Sequence, residues 1–421
     1  MEEGYIPRIA DEYFRSRLNS AGALLIEGPK WCGKTTTAGQ LCRSFLYMQD
    51  PDERESNFYY ASKKPSRLLE GERPRLIDEW QTAPVLWDAV RYAVDREKGR
   101  GLFVLTGSAV PDLGKEEGRK MHSGTGRISR VRMHTMSLFE SGDSDGSVSL
   151  SGLFEGRTDY SARSGLTLER AAFLACRGGW PAAVGTEDRY SLRMARDYVE
   201  SVSASDISRA DGVMRNQYVA RALLASLARN VCTLAETTAI AEDLKSAATR
   251  KTVSEYIAAL RMIFVCDDIP AWRPALVSKA RLRTSSKRCF SDPSIAAAAL
   301  NAGPESLLKD HPAFGSIFES LCVRDMRAYL QPLEGSVVHY RDSTGLEADM
   351  ILALDDGRWA AIEVKLRSGE DQAAENLIRI RNKTRTADGT PPSFLAVVTA
   401  TGMFRVRDDG VMVIPIGCLG P

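Results

Sequence analysis

The segment Gly28-Pro-Lys-Trp-Cys-Gly33-Lys34-Thr35 constrains this chain more than any other, because it fits GxxxxGK[ST] without a mismatch. It follows the apolar run Ala23 to Glu27 and opens a helical stretch, so the spacing predicts a strand, a tight loop and a helix. Backbone N–H groups of such a loop, together with the helix N-terminus, surround phosphate oxygens. Gly33 lets the backbone approach, Lys34 places a positive charge near the β- and γ-phosphates, and the Thr35 hydroxyl is set for Mg²⁺. The expected nucleotide-lining set is Gly28, Pro29, Lys30, Trp31, Cys32, Gly33, Lys34, Thr35 and Thr36. A chance match in a glycine-rich turn is the alternative, and the flanking strand and helix weigh against it.

Three further apolar runs resemble the first: Phe45 to Met48, Arg75 to Asp78 and Leu102 to Thr106. Helical patterns separate them, such as Val85 to Val94, where Leu86, Val90, Ala93 and Val94 share one face. This alternation predicts a parallel sheet covered on both sides. The third run ends Asp78-Glu79, which places Asp78 to hold Mg²⁺ and Glu79 to polarise an attacking water. The fourth ends Thr106-Gly107-Ser108, where Thr106 or Ser108 is placed to read a γ-phosphate. An ordinary turn fits that strand end equally well.

With 421 residues the chain has room for two or three domains. Apolar residues are 43% and charged residues 26%, which excludes a wholly disordered, collagenous or membrane-embedded chain. Lys plus Arg number 56 against 55 Asp plus Glu, so the net charge of +1 points to no class of partner, and any such signal must be local. The eight cysteines show no repeated CxxC spacing, the N-terminus lacks an apolar signal core, and no apolar run is long enough for a bilayer. A cytoplasmic protein with reduced thiols and no membrane contact is expected.

The Gly/Ser/Asp-rich stretch 141–151 reads as a loop or boundary. From about Leu166 to Leu260 the pattern is helical. It then runs into a β-type stretch, Ile263 to Asp267, as in a winged helix-turn-helix or in a plain helical bundle. Between Ala271 and Phe290 lie six basic residues and no acidic one. Lys279, Arg281, Arg283 and Lys287 are the candidates there for contacting nucleic-acid phosphates, with a solvated linker as the alternative.

A second chemical constellation closes the chain. Asp349 in Glu347-Ala-Asp349 and Glu363 in Glu363-Val-Lys365 lie on consecutive strands joined at Asp355-Asp356-Gly357. Glu363 and Lys365 share a strand face. Carboxylates are hard ligands suited to Mg²⁺, and a metal-bound water beside Lys365 is a nucleophile fit for phosphodiester cleavage. Glu319, on the helix before these strands, completes the expected metal set Glu319, Asp349 and Glu363. The helix-strand-strand-helix order resembles the PD-(D/E)XK nuclease core. Two alternatives stand beside that reading: a plain strand pair with surface charges, or a nuclease-like fold kept for binding.

Taken together, the P-loop, Ile77-Asp-Glu-Trp-Gln81, Leu105-Thr-Gly-Ser108, Tyr5-Ile-Pro-Arg8, Arg177-Gly-Gly-Trp-Pro181, Asp206-Ile-Ser-Arg209, Phe290-Ser-Asp292 and the terminal acidic motifs give the chain a family likeness. It resembles the bacterial and archaeal AAA+-like P-loop ATPases that carry a C-terminal domain of unknown function 4143. The resemblance implies ATP and Mg²⁺ as cofactors, a homo-oligomer, and an Arg from a neighbouring subunit that stabilises transition-state charge. Arg127 is the candidate for that role, and a surface Arg in a basic strand is as good a reading of it. The expected fold class is α/β in three parts: an AAA+-like P-loop ATPase domain over 1–150, a helical and winged-helix region over 151–285, and a PD-(D/E)XK-like domain over 286–421. The expected function is ATP hydrolysis coupled to engagement of nucleic acid, DNA in the first instance, with nuclease activity open. The alternative is a regulatory or scaffold ATPase that binds protein partners through a catalytically inactive nuclease-like domain.

Overall fold

The computed structural model describes residues 4–109, 124–244, 247–272, 285–385 and 390–421. The chain divides into two compact units. One comprises Met1–His134 with Asp206–Met214 and Ala258–Phe264; the other comprises Thr135–Ser205, Arg215–Ile257 and Val265–Pro421. The division differs from the three-part expectation, since the second unit holds most of the middle region together with the C-terminal sheet. Among the described residues no helix is long and apolar enough to cross a membrane.

The first unit is built on five parallel strands: β1 (Ala23–Glu27), β2 (Ser44–Tyr47), β3 (Arg75–Asp78), β4 (Phe103–Gly107) and β5 (Ile128–Arg132), in the order β2-β3-β4-β1-β5. Period-two alternation sends consecutive side chains of β1 to opposite faces. Leu24 and Ile26 join Phe14 and Leu18 of the helix Ala10–Ser20. Leu25 joins Ile77, Leu105 and, from the helix Val85–Glu97, Leu86, Trp87 and Val90. Both faces are therefore covered, and the strands read as continuous apolar runs for that reason. The expected strands recur with ends shifted by about one residue.

The second unit contains a helical part, including Leu168–Arg177, Asp188–Ser201 and Gln217–Arg229, and a mixed sheet. The expected β-type stretch at Ile263 to Asp267 is not a strand. In and after it the described residues form isolated bridges instead: Cys266 with Phe290 and Ile269 with Lys287, antiparallel, and Ala271 with His339, parallel. The segment 141–151, expected as a loop, includes the short strand β6 (Val148–Ser149) and the start of the helix Leu150–Phe154. Long-range contacts override its turn-like composition: the Ser144 hydroxyl donates to the Leu419 carbonyl at 2.7 Å, and the Ser149 hydroxyl caps the helix through Gly152 N–H at 3.2 Å.

The C-terminal sheet comprises β7 (Gly335–Arg341), β8 (Glu347–Leu354), β9 (Trp359–Lys365), β10 (Phe394–Thr399), β11 (Arg405–Val406) and β12 (Met412–Pro415). Its order is β11-β12-β10-β9-β8-β7, and the final strand β13 (Leu419–Gly420) pairs with β6. β7, β8 and β9 form an antiparallel meander, whereas β10 runs parallel to β9. The crossover to β10 is the helix Glu370–Arg385, whose Ala373, Ala374, Leu377 and Ile380 pack with Ala361, Leu395 and Val397. The helix His311–Leu330 buries Phe314, Ile317, Phe318 and Leu321 at helical spacing. Its N-cap Asp310 accepts from Ala313 N–H at 3.1 Å.

A buried polar hub explains two of the weaker sequence motifs. Asp292, fully buried, accepts from the Thr135 hydroxyl at 2.6 Å and from Gly179 N–H at 2.9 Å. Trp180, also fully buried, donates its indole N–H to Ser294 at 2.9 Å. At Gly179 a Cβ would sit 2.0 Å from the Met136 carbonyl oxygen, so only glycine fits there. Arg177-Gly-Gly-Trp-Pro181 and Phe290-Ser-Asp292 thus act as packing motifs of the second unit.

Candidate nucleotide site and carboxylate cluster

The loop between β1 and the helix Lys34–Gly39 has the shape its spacing requires. Gly33 takes φ of 96°, left-handed backbone that favours glycine, and Gly28 passes so close to the Met133 carbonyl that a Cβ would lie 2.4 Å from its oxygen. Lys34 is buried, and its ammonium donates to the Pro29 carbonyl at 2.8 Å, across the loop. Trp31 and Thr36 are exposed, and Cys32 is fully buried. The loop is braced from outside by Arg8, whose guanidinium donates to the Cys32 carbonyl at 3.0 Å and to the His134 carbonyl at 2.8 Å. Tyr5 donates to Asp11 at 2.6 Å and lies 3.1 Å from the Thr37 hydroxyl. The opening Tyr5-Ile-Pro-Arg8 motif is therefore a strap on the phosphate-binding loop, a role no local pattern revealed.

The ends of β3 and β4 complete the site. Asp78 accepts from the Thr35 hydroxyl at 2.7 Å and from the Thr106 hydroxyl at 2.6 Å. The Thr106 hydroxyl also accepts from Glu79 N–H at 3.2 Å. Glu79 itself adopts φ of 55°, unfavourable for a side-chain-bearing residue, which turns its carboxylate away from the line of β3. That carboxylate accepts from the Ser108 hydroxyl at 2.9 Å and from the Gln81 amide. Ser108, expected as a γ-phosphate contact, is thus engaged in holding Glu79. The Thr35 hydroxyl and Asp78 carboxylate are adjacent hard oxygen donors, a set that fits Mg²⁺.

Of two charged residues expected near this site, Lys30 touches it, and Arg127 stands at the opposite end of the sheet from the phosphate-binding loop. Lys30, inside the loop, donates to the buried Asp206 at 2.6 Å, so the Asp206-Ile-Ser-Arg209 motif is tied to the phosphate-binding loop. Arg127 stands just before the edge strand β5, half exposed, with its guanidinium on Asp95 at 2.9 Å.

In the second unit the expected carboxylates do share a neighbourhood. β8 and β9 pair Met350 with Ile362 and Ile351 with Ala361, and the same register extended by one residue sets Asp349 opposite Glu363. One Asp349 oxygen accepts from Val364 N–H at 2.9 Å, where the ladder ends. Lys365 donates to Glu363 at 2.9 Å. Burial, reinforced by the Asp349 charge and opposed by Lys365, pushes the Glu363 carboxyl up to about 7. Glu347, two residues before Asp349, is turned to Arg341 at 3.1 Å and is half exposed.

The metal set does not form as expected. Among the described residues no three His, Cys, Asp or Glu side chains come close enough to hold a metal ion. Two of the three expected ligands, Glu319 and Asp349, instead share the ammonium of Lys287. Expected as a flexible phosphate-contacting cation, it is instead buried, with its ammonium on Glu319, 3.3 Å from the Asp349 carbonyl oxygen and 3.6 Å from the Asp349 carboxylate. Burial opposes its charge, but Glu319 and Asp349 more than offset this and hold the ammonium protonated. Lys279, Arg281 and Arg283 lie outside the described residues. A cavity of about 590 Å³ lies beside the cluster, with His311, Ser316, Glu319, Asp349, Lys365 and Arg367 in its lining.

Comparison with known proteins gives three matches along the chain. Residues 20–141 match an AAA domain, residues 168–306 a domain of unknown function (DUF8612), and residues 314–419 a domain of unknown function (DUF4143). Uncharacterized proteins of Mycobacterium bovis and Mycobacterium tuberculosis are each 25% identical over 363 residues, covering 86% of this chain and 74% of theirs. Among solved structures, a Walker-type ATPase of Pyrococcus abyssi aligns with a TM-score of 0.41 at 11% identity, covering 69% of this chain and 94% of that one.

Proposed function

From the premise that this chain is a P-loop ATPase joining an AAA domain to a C-terminal domain of unknown function 4143, we propose that it couples ATP hydrolysis to engagement of a nucleic acid by its second unit. The observation that carries the hydrolytic part is the linked set Thr35, Asp78, Thr106, Glu79 and Ser108: Asp78 accepts from both Thr hydroxyls, Thr106 accepts from the Glu79 backbone N–H, and the Glu79 carboxylate accepts from Ser108. Loop N–H groups and Lys34 bind the β- and γ-phosphates. Thr35 and Asp78 would hold Mg²⁺, which when bound supplies charge neutralisation on the phosphate oxygens. Glu79 accepts a proton from the attacking water, and Ser108 and Gln81, both donating to its Oε2, orient the carboxylate for this. Arg127, on the edge of the sheet, would exchange Asp95 for the γ-phosphate of a neighbouring copy in a homo-oligomer.

Support for nucleic acid comes from the meander-and-crossover topology of the C-terminal sheet and from the basic residues Lys279, Arg281 and Arg283. DNA added to the full chain should raise its ATP turnover, and binding should weaken steeply with salt, with a shallower slope when those three residues are Ala. A second reading, a regulatory ATPase that binds protein partners, is favoured by one observation. Lys287 and Arg288 are both committed internally, Lys287 to Glu319 and Arg288 to Asp268 at 3.1 Å. Turnover indifferent to DNA, with an unchanged salt slope, would select that reading.

A further inference from the structure

We infer that Lys287 is the built-in cation of the C-terminal carboxylate cluster, filling the place between Glu319 and Asp349 that a divalent metal would need. Its ammonium bonds Glu319 and lies 3.6 Å from the Asp349 carboxylate and 3.3 Å from the Asp349 carbonyl oxygen. Two carboxylates and a carbonyl around one point are the kind of oxygen shell a hard cation takes. Here the occupant is tethered to the chain. Its backbone is clamped by paired bonds with Ile269, N–H to O and O to N–H, both at 2.8 Å. The side chains of Lys287, Glu319 and Asp349 are 11%, 14% and 17% exposed, so the contact is a formed internal one.

The remaining acceptors are committed as well. The second Asp349 oxygen receives Val364 N–H, and Glu363 receives Lys365. Glu319 and Asp349 thus already share the Lys287 ammonium, and a dication added without displacing it would meet a like charge across the same oxygens. The cluster therefore holds its strands and helix together without metal, and the second unit binds its partner without metal-dependent cleavage. The inference does not depend on ATP hydrolysis.

The test is a Mn²⁺ titration of the full chain without nucleotide, read by the electron paramagnetic resonance of free Mn²⁺. The parental chain and Glu319→Gln should bind Mn²⁺ alike, through whatever weak sites the surface offers. Lys287→Ala should gain one tight equivalent, about tenfold or more above that background, and Lys287→Ala with Glu319→Gln should lose it again. Should Lys287→Ala fail to fold, Lys287→Ser also leaves the place open and keeps a polar group there, and Mn²⁺ should raise its melting temperature but leave that of the parent unmoved. Glu319-dependent Mn²⁺ binding by the parental chain would overturn the inference. So would a Lys287 variant that gains no site and no Mn²⁺-dependent rise in melting temperature.

Discussion

Replacing Thr106 by Val removes one hydroxyl from a fully buried position while keeping the side chain's shape. That hydroxyl donates to the Asp78 carboxylate at 2.6 Å and accepts from Glu79 N–H at 3.2 Å. Losing a hydrogen bond to a charged group costs about 1.5–3 kcal/mol, and leaving a buried N–H without a partner costs about 1–3 kcal/mol. Relaxation and water entry recover part of this, so the first unit should lose about 2–4 kcal/mol. The same change frees Glu79 from the contact that holds it at φ of 55°, so the water-polarising carboxylate loses its fixed position. A misplacement worth about 1.4–2.8 kcal/mol lowers kcat about 10- to 100-fold. Urea unfolding and steady-state ATP turnover read the two effects, with Thr106→Ser as the control that restores the hydroxyl. A Val variant with parental stability and parental kcat would refute the reasoning that Thr106 joins the ends of β3 and β4 into one catalytic element.

Two further outcomes are expected. Asp206→Asn should release Lys30 and change the ATP Kd more than kcat, because the ion pair touches the loop and not Glu79; equilibrium ATP binding beside turnover separates the two. Glu363→Gln should flatten part of the pH dependence of stability. Burial raises the native carboxyl to about 7 against about 4.3 unfolded, so the folded state holds the extra proton and stability falls as pH rises between those values, by up to about 4 kcal/mol; urea midpoints from pH 4 to 8 measure it.

What the sequence made legible follows the range of the forces involved. The strand β1, its loop and the helix after it are local: Leu24, Leu25 and Ile26 must be buried on two faces, and Gly33 must turn left-handed, so residue order alone announces them. Asp78 was legible because it ends a strand beside the loop, whereas the left-handed turn at Glu79 that sets its carboxylate on Ser108 was not. The period of two set Asp349, Glu363 and Lys365 on one side of β8 and β9. Lys287 was not legible, because a basic stretch without acids looks solvated until the distant Glu319 and Asp349 close around one of its members. Arg8 and the pair Lys30–Asp206 were hidden for the same reason, since their partners are a loop carbonyl and a residue far along the chain. Ser149 shows the converse: in a Gly/Ser/Asp-rich stretch that reads as loop or boundary, and is irregular over 141–147, the last residues form a strand and a capped helix because Leu419–Gly420 pairs with them.

The most direct test of the central claim is a comparison of ATP binding and single-turnover hydrolysis in the parental chain, Lys34→Ala and Glu79→Gln. Lys34→Ala removes the charge that faces the phosphates and should abolish tight binding. Glu79→Gln keeps the shape and the bond from Ser108 but loses the proton acceptor, so it should bind ATP as the parent does and hydrolyse it at least about 100-fold more slowly. Hydrolysis by Glu79→Gln at the parental rate would contradict the assignment of Glu79, and with it the account of how this site turns over ATP.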